Sequence, residues 1–184
     1  MATPNPPPNP PPLQRLPSPS RGLSALVHFA GLSSFAASFK YLVDFPNLIN
    51  DSYGWHLQYL TIVGLALAAL TFLCGSVADI TGSRRVFGAK NALSLCSAPL
   101  EVLISLLYWG LRVIDRKLVL PDWVELDPWA DVGFHAVPSV LLVVDLLFLS
   151  PPWTITVVPA MGISAVLAGG YWVWVEQCYR HNGW

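Results

Sequence analysis

The sequence predicts an all-α, polytopic transmembrane bundle, and three observations carry that prediction. Hydrophobic residues make up 54% of the 184 positions and charged residues only 11%. That is about half the charged share of a soluble domain, which leaves too little polar surface to face water. The mean hydropathy of +0.52 points the same way. Finally, the apolar residues gather into five windows near the ~20 residues that cross a bilayer. Within hydrocarbon each backbone amide must be satisfied internally, which selects helices over open strands.

The first twenty residues hold nine of the seventeen prolines, in MATPNPPPNPPPLQRLPSPS. Proline fixes φ and removes a donor, so residues 1–21 are expected to form an extended, disordered cytosolic tail. The tail has no apolar segment and is not a signal peptide, so the first helix is expected to act as the insertion signal. Spanning helices are expected near 22–43, 55–79, 86–113, 132–149 and 153–176. The Pro151-Pro152 connection leaves little loop, so the last two should pack antiparallel.

Lys and Arg set the orientation. Arg15 and Arg21 precede the first window, and Arg84, Arg85 and Lys90 flank the second connection. The first connection carries Asp44 and Asp51 without a basic residue. The third sets Arg116 and Lys117 beside Asp122, Glu125, Asp127 and Asp131. The N-terminus is therefore expected in the cytosol, with the first and third connections outside or lumenal. Trp55, Trp109, Trp123, Trp129, Trp153 and Trp184 fall near window ends, as an interfacial belt requires.

Several function classes are disfavoured. A net charge of −1 gives no footprint for nucleic acid. Cys74, Cys96 and Cys178 are odd in number and read as small packing residues, not a disulfide frame or metal set. No phosphate loop, Cys-x-x-Cys or His-Glu-x-x-His occurs, so neither cofactor nor metal is expected.

Polar residues at membrane depth each need a partner or a task. Counting ~1.5 Å per residue puts Thr61 roughly 9 Å and His135 roughly 6 Å below the outer surface, with Lys40 at a similar level. His28, Glu101 and Asp145 come out deeper, at roughly 18–21 Å, as a candidate buried polar cluster. That cluster reads first as a hydrogen-bonded device fixing helix register and second as a proton or ion path. A membrane threonine ordinarily bonds back to its own backbone, and an interfacial histidine ordinarily finds a quiet partner.

Residues 52–61, SYGWHLQYLT, resemble the second-helix entry of the androgen-induced gene one family, which includes the androgen-dependent regulator of tissue-factor-pathway inhibitor. The likeness continues through 108–121, YWGLRVIDRKLVLP, and through 134–145, where a histidine precedes an acid by ten residues. It closes on the Trp-rich 170–184, and Lys40 after Phe39 matches a family lysine near the end of the first helix. The resemblance implies a multi-pass hydrolase of fatty acid esters of hydroxy fatty acids, with membrane lipids and a lipid ester as its partners. By position it makes Thr61 the nucleophile and His135 the base. Asp131, one turn before His135, could orient the imidazole or be a solvated helix-start charge. Lys40 could hold a substrate carboxylate or act as a snorkelling anchor.

Two departures accompany the likeness. Where the family commonly has Asn-His-x-x-His-Thr, this chain has Asp131, Val132 and Ala136. It also stops at Trp184, where the family continues with Tyr-Pro and another helix, and so reads as a shortened form. The alternatives are a non-catalytic membrane regulator or scaffold of the same family, and a small transporter built on the deeper layer. The transporter is weakened because no inverted repeat is visible.

Overall fold

The computed structural model describes Pro19 and residues 22–120, 124–153 and 155–183. The expectations for the rest of the proline-rich tail, Arg15, Arg21, Asp122, Trp123 and Trp184 lie outside the described residues. Among those described, the secondary structure is helical without strands. Five stretches are long and apolar enough to cross a membrane: Leu23–Asp44, Leu60–Thr81, Arg84–Ile114, Pro128–Phe148 and Val157–Asn182.

Helix α1 (Leu23–Asp44) buries Ser24, His28, Gly31, Phe35, Ser38 and Leu42. That alternating 4-3 spacing is one face of a helix. Helices α2 (Leu60–Thr81) and α3 (Arg84–Ile114) form the most extensive pairing. They turn on Gly82, in the left-handed region at φ 70, and on Ser83, whose hydroxyl caps α3 through the Val86 amide. Phe35, Leu65, Ala68, Phe72, Ala98 and Leu142 form the fully enclosed centre. In lipid such contacts hold by close packing rather than by exclusion of water, so small residues matter at crossings. Gly75 is one: a Cβ there would lie 2.5 Å from the His28 ring.

Three spans differ from expectation, the fifth running over Val157–Asn182 and not 153–176. The second begins at Leu60, not Trp55. Gly54 at φ 87 and Trp55 at φ 48 turn the chain, Trp55–Gln58 forms a short 3-10 turn, and Tyr59 is extended. Thr61 therefore sits in the first turn of α2, not six residues into a helix. The fourth span begins earlier than expected and is broken. Helix α4 (Pro128–His135) ends at Ala136, and α5 (Val137–Phe148) begins with Pro138 in its first turn. Proline cannot donate to the carbonyl four residues back and its ring crowds that carbonyl, so the helix breaks here. At the break the His135 carbonyl accepts from the Trp109 indole at 3.3 Å.

Helix α6 (Val157–Asn182) buries only Cys178 among its described residues. Its C-terminal half meets the 53–58 segment, and its N-terminal half, including Gly162 and Gly169, has open space around it.

Candidate functional site

A cavity of about 660 Å³ opens where the end of α1, the start of α2, the end of α3 and the end of α4 converge. Thr61 and His135 both line it. Its apolar wall includes Leu42, Ile49, Ile62 and Phe134, and its polar residues include His56, Tyr59 and Glu125.

His135 is tightly held. Its ring stacks on Tyr108 with centroids 3.4 Å apart and planes 1° from parallel. Its Nδ1 lies 3.0 Å from Asp131 Oδ1 and 3.1 Å from the Asp131 carbonyl. The same Oδ1 accepts from the Tyr108 hydroxyl at 2.6 Å, and Arg112 pairs with Oδ2. Arg112 also donates to the Tyr108 oxygen at 3.0 Å, so that hydroxyl spends its one proton on Asp131. A carboxylate paired with arginine can only accept. The proton between Asp131 and His135 therefore belongs to Nδ1, and Nε2 keeps its lone pair. Asp131 is 2% exposed and is thus a buried carboxylate facing the imidazole, not a solvated helix-start charge. Asp127 fills the capping role, accepting from the Trp129 and Ala130 amides.

Thr61 behaves unlike its neighbours. Thr71 and Thr81 bond back to the carbonyls four residues earlier, each at 2.7 Å. The Thr61 hydroxyl makes no hydrogen bond among the described residues. The carbonyls three and four residues back precede the extended Tyr59 and so are not stacked beneath it as in a helix, and both accept from α6. Trp174 donates to Leu57 O at 3.0 Å and Tyr171 to Gln58 O at 2.8 Å. Asn182 grips the backbone of Tyr53 from both sides, at 2.8 and 3.1 Å, and His181 stacks on its ring at 4.1 Å. Helix α6 is thus a strut against the segment that delivers Thr61. Trp174→Phe, which removes the indole donor but keeps an aromatic ring, is expected to free Leu57 O. The segment should lose about 0.5–1.5 kcal/mol of local stability, read as faster amide exchange over residues 55–60. Unchanged exchange would mean that the strut is idle.

His56, within SYGWHLQYLT, carries no sequence signal of its own, yet it packs beside the site. It is 4% exposed and its Nε2 meets Asn50 Oδ1 at 3.1 Å. Asn50 also completes the capping box of the Leu48–Asp51 turn. Burial holds the imidazole below its ordinary value of 6.5. The unfolded ring takes up a proton below that pH while the folded one stays neutral. Stability from this turn is therefore full above pH 6.5 and is lost as the pH falls beneath it. Exchange of the Ile49–Gln58 amides, corrected for intrinsic rates, is expected to quicken between about pH 7 and about pH 5, and not in His56→Gln. Burial also keeps the Tyr59 hydroxyl protonated by raising its value above 10.0.

Lys40 does not line the cavity. It is exposed and paired with Asp44 on its own helix, which fits an anchor and not a substrate clamp.

The deeper residues divide. His28 Nε2 meets Asp145 Oδ1 at 2.9 Å, and His28 Nδ1 meets Asp79 Oδ2 at 2.8 Å. Lys90 donates to both Asp145 oxygens and to Ser150, each at 2.8 Å. Glu101 is not part of this network. It rests against Gly64, whereas His28 rests against Gly75, eleven residues or ~16 Å further along α2. The depth count failed for Glu101 because α3 has 31 residues and runs past its neighbours at the cavity end.

These features define a class: a multi-pass helical membrane protein with a cavity at one end and a buried ionic network toward the other. The chain belongs to the FAR-17a/AIG1-like protein family, which it matches over residues 23–184. It is 34% identical over 166 residues to a UPF0641 membrane protein of Schizosaccharomyces pombe, an alignment spanning 89% of this chain and 74% of that one. No solved structure matches it.

Proposed function

We propose that this protein is an integral membrane lipid esterase in which Thr61 is the nucleophile and His135 the general base. One observation carries the reading: a free threonine hydroxyl and a histidine with its Nε2 lone pair available line the same cavity. The fatty acid esters of hydroxy fatty acids implied by the family resemblance suit a cavity with an apolar wall and a polar mouth. The N-terminus is assigned to the cytosol, which puts the cavity at the outer or lumenal face of the endoplasmic reticulum or plasma membrane.

In this reading His135 Nε2 takes the Thr61 proton as Oγ bonds to the ester carbon. The Thr61 amide, in the first turn of α2 and without an acceptor among the described residues, is available to the developing oxyanion. Nε2 then returns its proton to the departing alkoxide, leaving an acyl-threonine. Water bonds to the acyl carbon, gives its proton to Nε2, and the C–Oγ bond breaks as that proton passes to Thr61. Asp131 stabilises the imidazolium formed in each half.

A fluorophosphonate probe, applied to the chain in membranes and mapped by mass spectrometry, tests this. Labelling is expected on Thr61, and loss of label in Thr61→Ala and His135→Ala. Labelling that persists in Thr61→Ala removes Thr61 as nucleophile. No label and no ester cleavage at all would leave a non-catalytic regulator or scaffold.

A further inference from the structure

Among the described residues, Glu101 is a buried acid with neither oxygen hydrogen-bonded. It is 0% exposed. Its counterparts are all partnered: Asp79 by His28 and Ser24, Asp145 by Lys90 and Ser150, Asp131 by Arg112 and Tyr108. An ionised carboxylate without such partners is untenable in an apolar interior, so Glu101 is carried as the neutral acid, a donor in want of an acceptor.

Its position is defined from two sides. A Cβ at Gly64 would lie 2.5 Å from Glu101 Oε1, so glycine there is what admits the carboxyl against α2. Gly64 is three residues past Thr61, hence on the same face and one turn deeper. On α3, Glu101 lies seven residues, two turns, before Tyr108, the ring stacked on His135, and both are buried on one face. The acid thus lies outside the cavity lining, one turn deeper than Thr61 on the same face of α2 and two turns, ~10 Å, below Tyr108 along α3.

We propose that Glu101 is a positioning residue of this site, a neutral carboxylic acid that holds the water which releases the acyl group from Thr61. The inference rests on the hydrolase reading. A buried water needs two to four polar partners, and the acid supplies one donor and one acceptor under the acyl-threonine. In the releasing step the water oxygen bonds to the acyl carbon and its proton goes to His135 Nε2. The C–Oγ bond breaks, the proton reaches Thr61 Oγ, and a free carboxylic acid departs. Glu101 ends as it began, protonated.

Two measurements test this on the full chain in phospholipid nanodiscs. Dicyclohexylcarbodiimide reacts with protonated carboxyls in apolar surroundings. The acid's proton moves to a carbodiimide nitrogen, its oxygen joins the central carbon, and rearrangement leaves a stable N-acylurea. Peptide mapping is expected to find this adduct on Glu101 and not on Asp79, Asp131 or Asp145, and to lose it in Glu101→Gln. No adduct on Glu101 overturns the neutral acid without touching the assignment of Thr61. The second measurement uses a nitrophenyl acyl ester, whose burst reports acylation and whose steady state reports release. Glu101→Met, which removes donor and acceptor together, is expected to retain the burst, which certifies a folded site, and to slow the steady state roughly tenfold or more, whereas Glu101→Gln, with a donor and an acceptor of its own, should largely restore it. Gly64→Ala, which drives a methyl into the carboxyl, should do the same as Glu101→Met. A wild-type steady state in Glu101→Met sinks the role of Glu101 alone. Absence of both burst and Thr61 adduct in the wild type sinks the hydrolase reading and this role together.

Discussion

Asp131→Asn is expected to lower ester hydrolysis by about 10³-fold or more while leaving the bundle folded. The reason is a conflict among three donors. Asp131 Oδ1 accepts from Tyr108 and faces His135 Nδ1, and Oδ2 faces Arg112. An amide offers one oxygen and one NH₂ in their place. The guanidinium, always charged, claims the oxygen. That turns the NH₂ toward His135 and makes Nδ1 an acceptor, so the proton shifts to Nε2, the nitrogen required to be a base. The ring stays stacked on Tyr108, because that contact does not depend on the carboxylate. The loss should therefore fall on kcat and on probe labelling of Thr61, with little change in substrate binding. Labelling of Thr61 in Asp131→Asn at the wild-type rate would show that the imidazole needs no orienting acid.

How much of this can be read along the chain depends on whether partners share a helix. Asp131 and His135 are four residues apart on α4, so their contact is legible from spacing alone. Tyr108 and Arg112 join them from α3, more than twenty residues away for Tyr108, and nothing local marks them beyond a basic residue near a helix end. Hydropathy windows stop at charges, so Asp79 reads as the end of a span and Lys90 as a vote on topology. Both are instead 0–1% exposed, because α1, α2, α3 and α5 bring their charges together. The five spans follow from composition because lipid permits little else. Their breaks do not: the start of α2 at Leu60 depends on the Gly54–Trp55 turn, and the break after His135 on Pro138. Thr61 makes no back-bond because Tyr59 is extended and Trp55–Gln58 forms a 3-10 turn, and α6 holds that segment through Leu57 O and Gln58 O from over a hundred residues away.

Lys90→Met is expected to destabilise the bundle by about 3–5 kcal/mol. Lys90 is fully enclosed and supplies three donors to Asp145 and Ser150. Methionine fills similar space, so packing alone does not account for the loss. What remains is Asp145 with one imidazole, itself shared with Asp79, and a hydroxyl. Removing both charges should hurt less than the sum of the single changes, since a buried pair replaced by apolar residues is often near neutral. In Lys90→Met/Asp145→Leu the coupling is expected to exceed about 1 kcal/mol, reduced by the partner that His28 then loses. Reversible denaturation in mixed micelles, followed by tryptophan fluorescence, measures all three variants. The network lies 18 residues, ~27 Å along α3, from Tyr108. Folded Lys90→Met should accordingly keep its site geometry and lose only population. A loss below about 1 kcal/mol, or strict additivity, would mean that α1, α2, α3 and α5 hold their register by shape, with the charges incidental.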